Sequence, residues 1–106
     1  FRQTHPADRG RSIEIDLLAA GQRHLMIVEA KRRLGADKVR EFLDWVRLIP
    51  EFLPEYAHHQ LIPVVASVSI DPTIIPFLNR SRVYGVAMGD DTMQLVNPAL
   101  ADSAPR

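Results

Sequence analysis

The sequence predicts an α/β domain with a mixed central sheet, and three features of its hydrophobic pattern carry that expectation. Residues 12–20 alternate apolar and polar, as a half-buried strand does, and residues 24–31 form a second run rich in β-formers. Residues 39–49 repeat apolar side chains at helical spacing, and residues 61–70 form a third apolar run. Strand, crossover helix and strand make a right-handed unit, so the second and third strands are expected to be parallel.

Each element has a local reason. Gly21, Gln22 and Arg23 reverse the chain, giving a β-hairpin. Leu34, Gly35 and Ala36 break the second strand, and Asp37 is a suitable N-cap for the helix. Val39, Phe42, Leu43, Val46 and Ile49 line one helix face, while Lys38, Arg40, Glu41, Asp44 and Arg47 face solvent. Pro50, with no N–H to donate, is expected to end or kink this helix, leaving residues 51–60 as a bent continuation or loop. Val64, Val65 and Ala66 are apolar on both faces, as in a central strand covered by helices. Asp71 and Pro72 start a short helix to about Asn79, and residues 83–88 and 92–96 form a C-terminal β-hairpin around Gly89, Asp90 and Asp91. Residues 1–11 read as a lead-in and residues 98–106 as a frayed tail.

Composition sets the limits. At 106 residues, 46% hydrophobic and 25% charged, the chain is a single ordinary globular domain, 1–106. It begins at Phe1 with neither a signal-peptide core nor a transit pattern, and reads as a piece of a longer protein. Net charge is zero, so any attraction to nucleic acid must be local. The absence of cysteine excludes disulfides and thiolate metal sites and suits a reducing compartment, so the expected location is cytoplasmic. The apolar runs are too short for a bilayer, and no membrane partner is expected.

Chemistry is concentrated in the first hairpin. With a loop of two or four residues, Glu14, Asp16 and Leu18 share a face with Ile27, Glu29 and Lys31. The other face, Ile13, Ile15, Leu17 and Ala19 with Met26, Val28 and Ala30, is wholly apolar and is expected in the core. Carboxylates with a backbone carbonyl and waters suit a hard divalent cation such as Mg²⁺ or Mn²⁺. Such an ion polarises a phosphate and acidifies a bound water, and an ammonium at Lys31 would offset charge growing on the phosphorus centre.

The spacing of Asp16 and Glu29-Ala30-Lys31, on strands followed by a helix and a central strand, resembles the PD-(D/E)xK, or restriction-endonuclease-like, superfamily. Residues 65–71 and 83–86 are also similar to small bacterial members of unassigned function. The resemblance implies a restriction-endonuclease-like core, with Asp16, Glu29 and Lys31 catalytic. By the same likeness Asp16, Glu29 and the Ala30 carbonyl would hold Mg²⁺ or Mn²⁺, with Glu14 in support. Ile15 stands where the family name has proline, and residues 1–11 are too few for the helix and strand that open the family core.

Two functions follow as expectations: a metal-dependent nuclease acting on DNA rather than RNA, or a non-catalytic interaction module that keeps the fold. Arg32, Arg33, Lys38 and Arg40 would neutralise phosphates, or else mark a solvated strand end and helix start. Specificity in so small a domain is expected from a homodimer or a neighbouring DNA-binding domain. Adjacent His58 and His59 do not share a metal readily and lack a third ligand. Asp90 and Asp91 serve the turn; Trp45, Phe52 and Tyr56 are aromatic rings of the kind that stack on bases, but their placement on or beside the helix makes packing the expectation.

Overall fold

The computed structural model describes residues 1–102. Two sheets share one core. The smaller pairs β1 (Arg2–Thr4) with β2 (Ser12–Glu14), antiparallel. The larger has the order β3 (Leu17–Ala20), β4 (His24–Lys31), β5 (Gln60–Ser67), β6 (Tyr84–Met88), β7 (Met93–Leu95). Its outer pairs are antiparallel and β4, β5 and β6 are parallel, so the expected mixed α/β sheet with β5 at its centre is present.

The first expected strand is two strands. The chain bends at Asp16 between β2 and β3, and the inward-facing parity changes there. Ile13 in β2 and Ile15 just beyond it are buried, yet Leu17 in β3 is 54% exposed while its neighbour Leu18 packs against the core. The continuous alternation in the sequence therefore spans a break between sheets.

That break corrects the expected core face of the hairpin. Helix α1 (Ala36–Phe52) packs Val39, Phe42, Val46 and Ile49 onto Leu25 and Ile27, the face that also carries Glu29. Of the face expected to be buried, Ile13 and Ile15 are in the core, but the members on β3 and β4 (Leu17, Ala19, Met26, Val28 and Ala30) lie on the open side instead. Leu17, Met26, Val28, Ile62, Val64, Tyr84, Val86, Met93 and Leu95 line a shallow apolar surface there, with no charged side chain on it. Both faces of β4 are apolar below Glu29, so alternation alone could not say which one a helix covers.

Other boundaries differ for physical reasons. Residues 1–11 are anchored rather than loose: His5 and Arg11 both reach Glu51 Oε1, at 2.9 and 2.6 Å, beside the Phe52 ring. Helix α1 is capped by the extended backbone of Gly35, with Asp37 in its first turn, where a carboxylate opposes the helix dipole. Pro50 lies inside the helix, which runs on to Phe52 because buried Phe52 and Leu53 hold the last turn, with Leu53 N–H donating to Ile49. A 3₁₀ turn follows at Pro54–Tyr56. Asp71 caps the next turn, as expected, and leads through Pro72–Ile74 into α2 (Ile75–Ser81).

The tail expected to fray starts in the core. Buried Asn97 accepts from Gly85 N–H at 2.9 Å and donates to Val83 O and Asn79 Oδ1, tying β6, α2 and the C-terminal segment together. The short α3 (Ala99–Asp102) follows with Leu100 buried, and residues 103–106 lie outside the described residues. At Gly85 a Cβ would come within 2.9 Å of both Leu78 and Val96, so only glycine lets α2 and this segment close on β6. Among the described residues no helix is long and apolar enough to cross a membrane.

Asn97→Ala strands the Gly85 N–H and the Val83 carbonyl in an apolar setting. The expected loss is about 2 kcal/mol, read as a drop in melting temperature of roughly 10 °C.

Candidate functional site

The bend at Asp16 builds the site. In the β3–β4 ladder Leu17 faces Val28, and the Gly21 N–H bonds to His24 O at the turn. Hydrogen-bonded pairs recur every second residue, so an uninterrupted ladder would next join Ile15 to Ala30. Ile15 N–H instead donates to Phe1 O at 2.8 Å. The vacated Ala30 N–H donates to Asp16 Oδ2, also at 2.8 Å. A side chain thus replaces the backbone as acceptor, and this fixes the carboxylate over the end of β4.

There Asp16 is hydrogen-bonded to Glu29. Glu29 is half-buried on the helix side of the sheet, and its carboxyl is pushed up to about 7 by that burial and by the bond and charge of Asp16, against the pull of Lys31. Asp16 is held below the usual carboxylate range by the bond from Glu29 and the Ala30 N–H, helped by Lys31 and opposed by burial. Below about pH 7 the pair therefore holds one proton, on Glu29.

A cavity of about 570 Å³ opens over the pair, lined by Phe1, Arg2, Glu14, Ile15, Asp16, Glu29, Lys31 and Trp45. It brings together the acids Glu14, Asp16 and Glu29 with Lys31. Glu14 stands at the rim, 3.9 Å from Arg2 and largely exposed. Arg32, Arg33, Lys38 and Arg40 are exposed and lie outside this lining. Lys38 pairs with Glu41 at 3.6 Å, and Arg40 lies over the Phe77 ring at 5.1 Å, toward α2.

Three lining residues were not singled out for this site by the sequence: Phe1 and Arg2, in a segment read as lead-in, and Trp45, for which packing was preferred to stacking on bases. Of the aromatic residues expected to pack, Phe52 is buried and Tyr56 stacks edge-on with His59, but Trp45 is 39% exposed at the cavity. Its place between the buried Phe42 and Ile49 rows of α1 was the only signal available. His59 Nε2 donates to Gly21 O, 3.1 Å away, so it serves the hairpin turn.

Among the described residues no three His, Cys, Asp or Glu side chains come together to hold a metal by themselves. The available set is two carboxylates and a carbonyl. In an extended strand a residue's N–H and C=O leave on the same side, so the Ala30 carbonyl faces the edge where Asp16 sits. Mg²⁺ is commonly held by one or two carboxylates, with waters and substrate phosphates completing its shell, and that set fits it.

The proton on Glu29 fixes a stability profile. Because the folded carboxyl titrates near 7 and the unfolded one near 4.5, the stabilisation is complete below about pH 4.5 and is lost as pH rises through 7. The lowered Asp16 works in the opposite sense, and its contribution is lost only as pH falls through its folded value. Glu29→Gln removes the second negative charge, so the variant is expected to match the wild type near pH 4.5. At pH 8 it should melt roughly 5 °C higher, about 1 kcal/mol once solvent screening is allowed for; equal melting at both pH values would contradict this.

Residues 7–95 match the family described as a domain of unknown function, DUF8196, whereas no curated protein and no solved structure gives a match. The matched span runs from the lead-in through β7 and includes Glu14, Asp16, Glu29, Lys31 and Trp45, and the chain belongs to that family.

Proposed function

We propose that this domain is a metal-dependent nuclease with a restriction-endonuclease-like core, hydrolysing phosphodiester bonds in DNA rather than RNA. One observation carries the reading: Asp16 and Glu29 touch where the hairpin ladder opens, with Lys31 in the same cavity. Solvated outer faces do not need two carboxyl groups in contact at a strand junction, one of them half-buried, since holding two acids together there costs stability.

Asp16, Glu29 and the Ala30 carbonyl would hold Mg²⁺ or Mn²⁺, with Glu14 in support from the rim of the same cavity. The ion would supply charge neutralisation at phosphate and a more acidic water. The chain's own residues do the rest. The Ala30 N–H holds Asp16 in one orientation, and Glu29 gives up its proton when a cation takes its place. Lys31 Nζ donates to the phosphate oxygens as negative charge builds on them. Arg2 presents a guanidinium at the rim, suited to the flanking phosphate.

Isothermal calorimetry with Mn²⁺ tests the ligand set. Asp16→Ala and Glu29→Ala are expected to abolish binding. Lys31→Ala should keep it and lower plasmid cleavage by roughly 10²- to 10³-fold. Since protonated Glu29 must lose its proton to coordinate, affinity should tighten by up to about 10-fold per pH unit below 7 and level off above it. Unchanged heats in Asp16→Ala would sink the metal assignment.

The open sheet face favours a second reading, a non-catalytic assembly module. Parallel strands are normally covered on both sides, and an uncharged apolar face invites a partner. On that reading two copies stack through it, and the homodimer is the function rather than an aid to specificity. Sedimentation should then show a dimer that Met26→Lys with Met93→Lys converts to monomer. A wild type that stays monomeric across concentration would exclude it.

A further inference from the structure

We infer that Trp45 is a base-stacking platform, and that the acid cavity takes a nucleic-acid strand with a base out of the helical stack: a single strand, a flap or a frayed end. This rests on the nuclease reading above and names its substrate class.

Three observations converge. Trp45 is the one tryptophan of the chain and is 39% exposed on α1, although the same helix buries Phe42, Val46 and Ile49. Its indole lines the cavity that holds Asp16, Glu29 and Lys31, so an apolar ring and the phosphate-directed groups serve one space. Arg2 at the rim adds a guanidinium, so the cavity offers an aromatic plane, two cations and a carboxyl pair. That combination matches a nucleotide: the base on the ring, the phosphate toward the charged groups.

Size and geometry select the form of the substrate. A cavity of about 570 Å³ is in the range of small-ligand sites and accommodates a nucleotide. In a continuous duplex the base faces are covered by their neighbours, so a ring in the cavity reaches one only after unstacking. A strand already unpaired needs no such step. Stacking is indifferent to base identity, because every base has a π-face, so the preference is for structure and not for sequence.

The single tryptophan is its own probe. Intrinsic fluorescence is titrated with a dT₁₅ strand and with a blunt duplex of the same length, in Ca²⁺ to hold back cleavage, alongside Mn²⁺ calorimetry. The expected result is quenching by dT₁₅, with the single strand bound at least roughly 10-fold tighter than the duplex. By fluorescence anisotropy of labelled dT₁₅, Trp45→Ala should lose roughly 5- to 100-fold in affinity, and Trp45→Phe should recover most of it. Mn²⁺ affinity should be unchanged in both variants, which also reports an intact fold. Equal binding of strand and duplex, or Trp45→Ala binding as the wild type does, overturns the stacking role while Mn²⁺ binding leaves the nuclease reading standing. Loss of the metal signal from the wild type itself removes both.

Discussion

The structure depends on one hydrogen bond, from the Ala30 N–H to the Asp16 carboxylate. A hairpin ladder offers that N–H a backbone carbonyl by default, and taking it away would leave a donor unpaired. Asp16 makes the departure affordable. With its side chain serving as acceptor, Ile15 is released to pair with Phe1, the strand changes sheets, and Ile13 and Ile15 drop into the core from a different direction. The same bond aims the carboxylate at Glu29. Fold junction and candidate site are therefore one feature, and neither can be altered without the other.

How much of this was legible in the sequence depends on which signal each element used. The α/β class, the parallel β4–β5 pair and the C-terminal hairpin follow from periodicity, which reports one buried face per element. The proximity of Asp16 and Glu29 was also legible, because it needs only the parity of a hairpin with a two-residue turn. The core face was not. Leu25 and Ile27 on one side of β4 and Met26 and Val28 on the other are equally apolar, and the decision is made by α1, a tertiary partner. The bend was hidden for a related reason, since Ile13, Ile15 and Leu17 continue one alternation across a point where the chain leaves one sheet for another. Arg2 was missed because a short strand near Phe1 carries no distinctive spacing, and packing was preferred for Trp45 because a ring on an amphipathic helix does not show in the sequence whether it is exposed. The basic residues Arg32, Arg33, Lys38 and Arg40 are close in sequence to Lys31, but the turn and helix start carry them out of the cavity.

Charge placement in the molecule follows a division between its two sheet faces. The helix side holds an acid pair at the end of an otherwise apolar row, running through Leu25, Ile27 and Glu29 along β4. The other face is uncharged throughout its lining. Electrostatic cost is thus confined to one end of one strand, where a proton on Glu29 relieves it. On the metal-binding reading, a cation entering that end would displace the proton and relieve the repulsion more fully, since it would bind both carboxylates at once. Stability and ligand binding would then be coupled through the same two groups.

Position alone does not make such a pair useful; it must also be held still. Glu29 and Lys31 lie at the carboxyl end of a parallel strand, the end of an open α/β sheet where ligand crevices form. The chain leaving that end is strapped to its neighbour. Buried Ser67 at the end of β5 donates to Arg32 O at 3.1 Å and accepts from Ser69 N–H, while Leu34 N–H reaches Ser69 O and bridges to Ile70. One residue beyond Lys31 the backbone is therefore tied at Arg32 to the central strand, and three residues beyond it buried Leu34 is tied to the segment that follows β5. With Asp16 fixed from one side by Ala30 and the turn after Lys31 fixed from the other, the carboxyl pair and the ammonium sit on backbone that has little freedom to move. On the nuclease reading, a constellation that matches a phosphate within fractions of an ångström requires that rigidity, and Ser67 provides it on the β5 side.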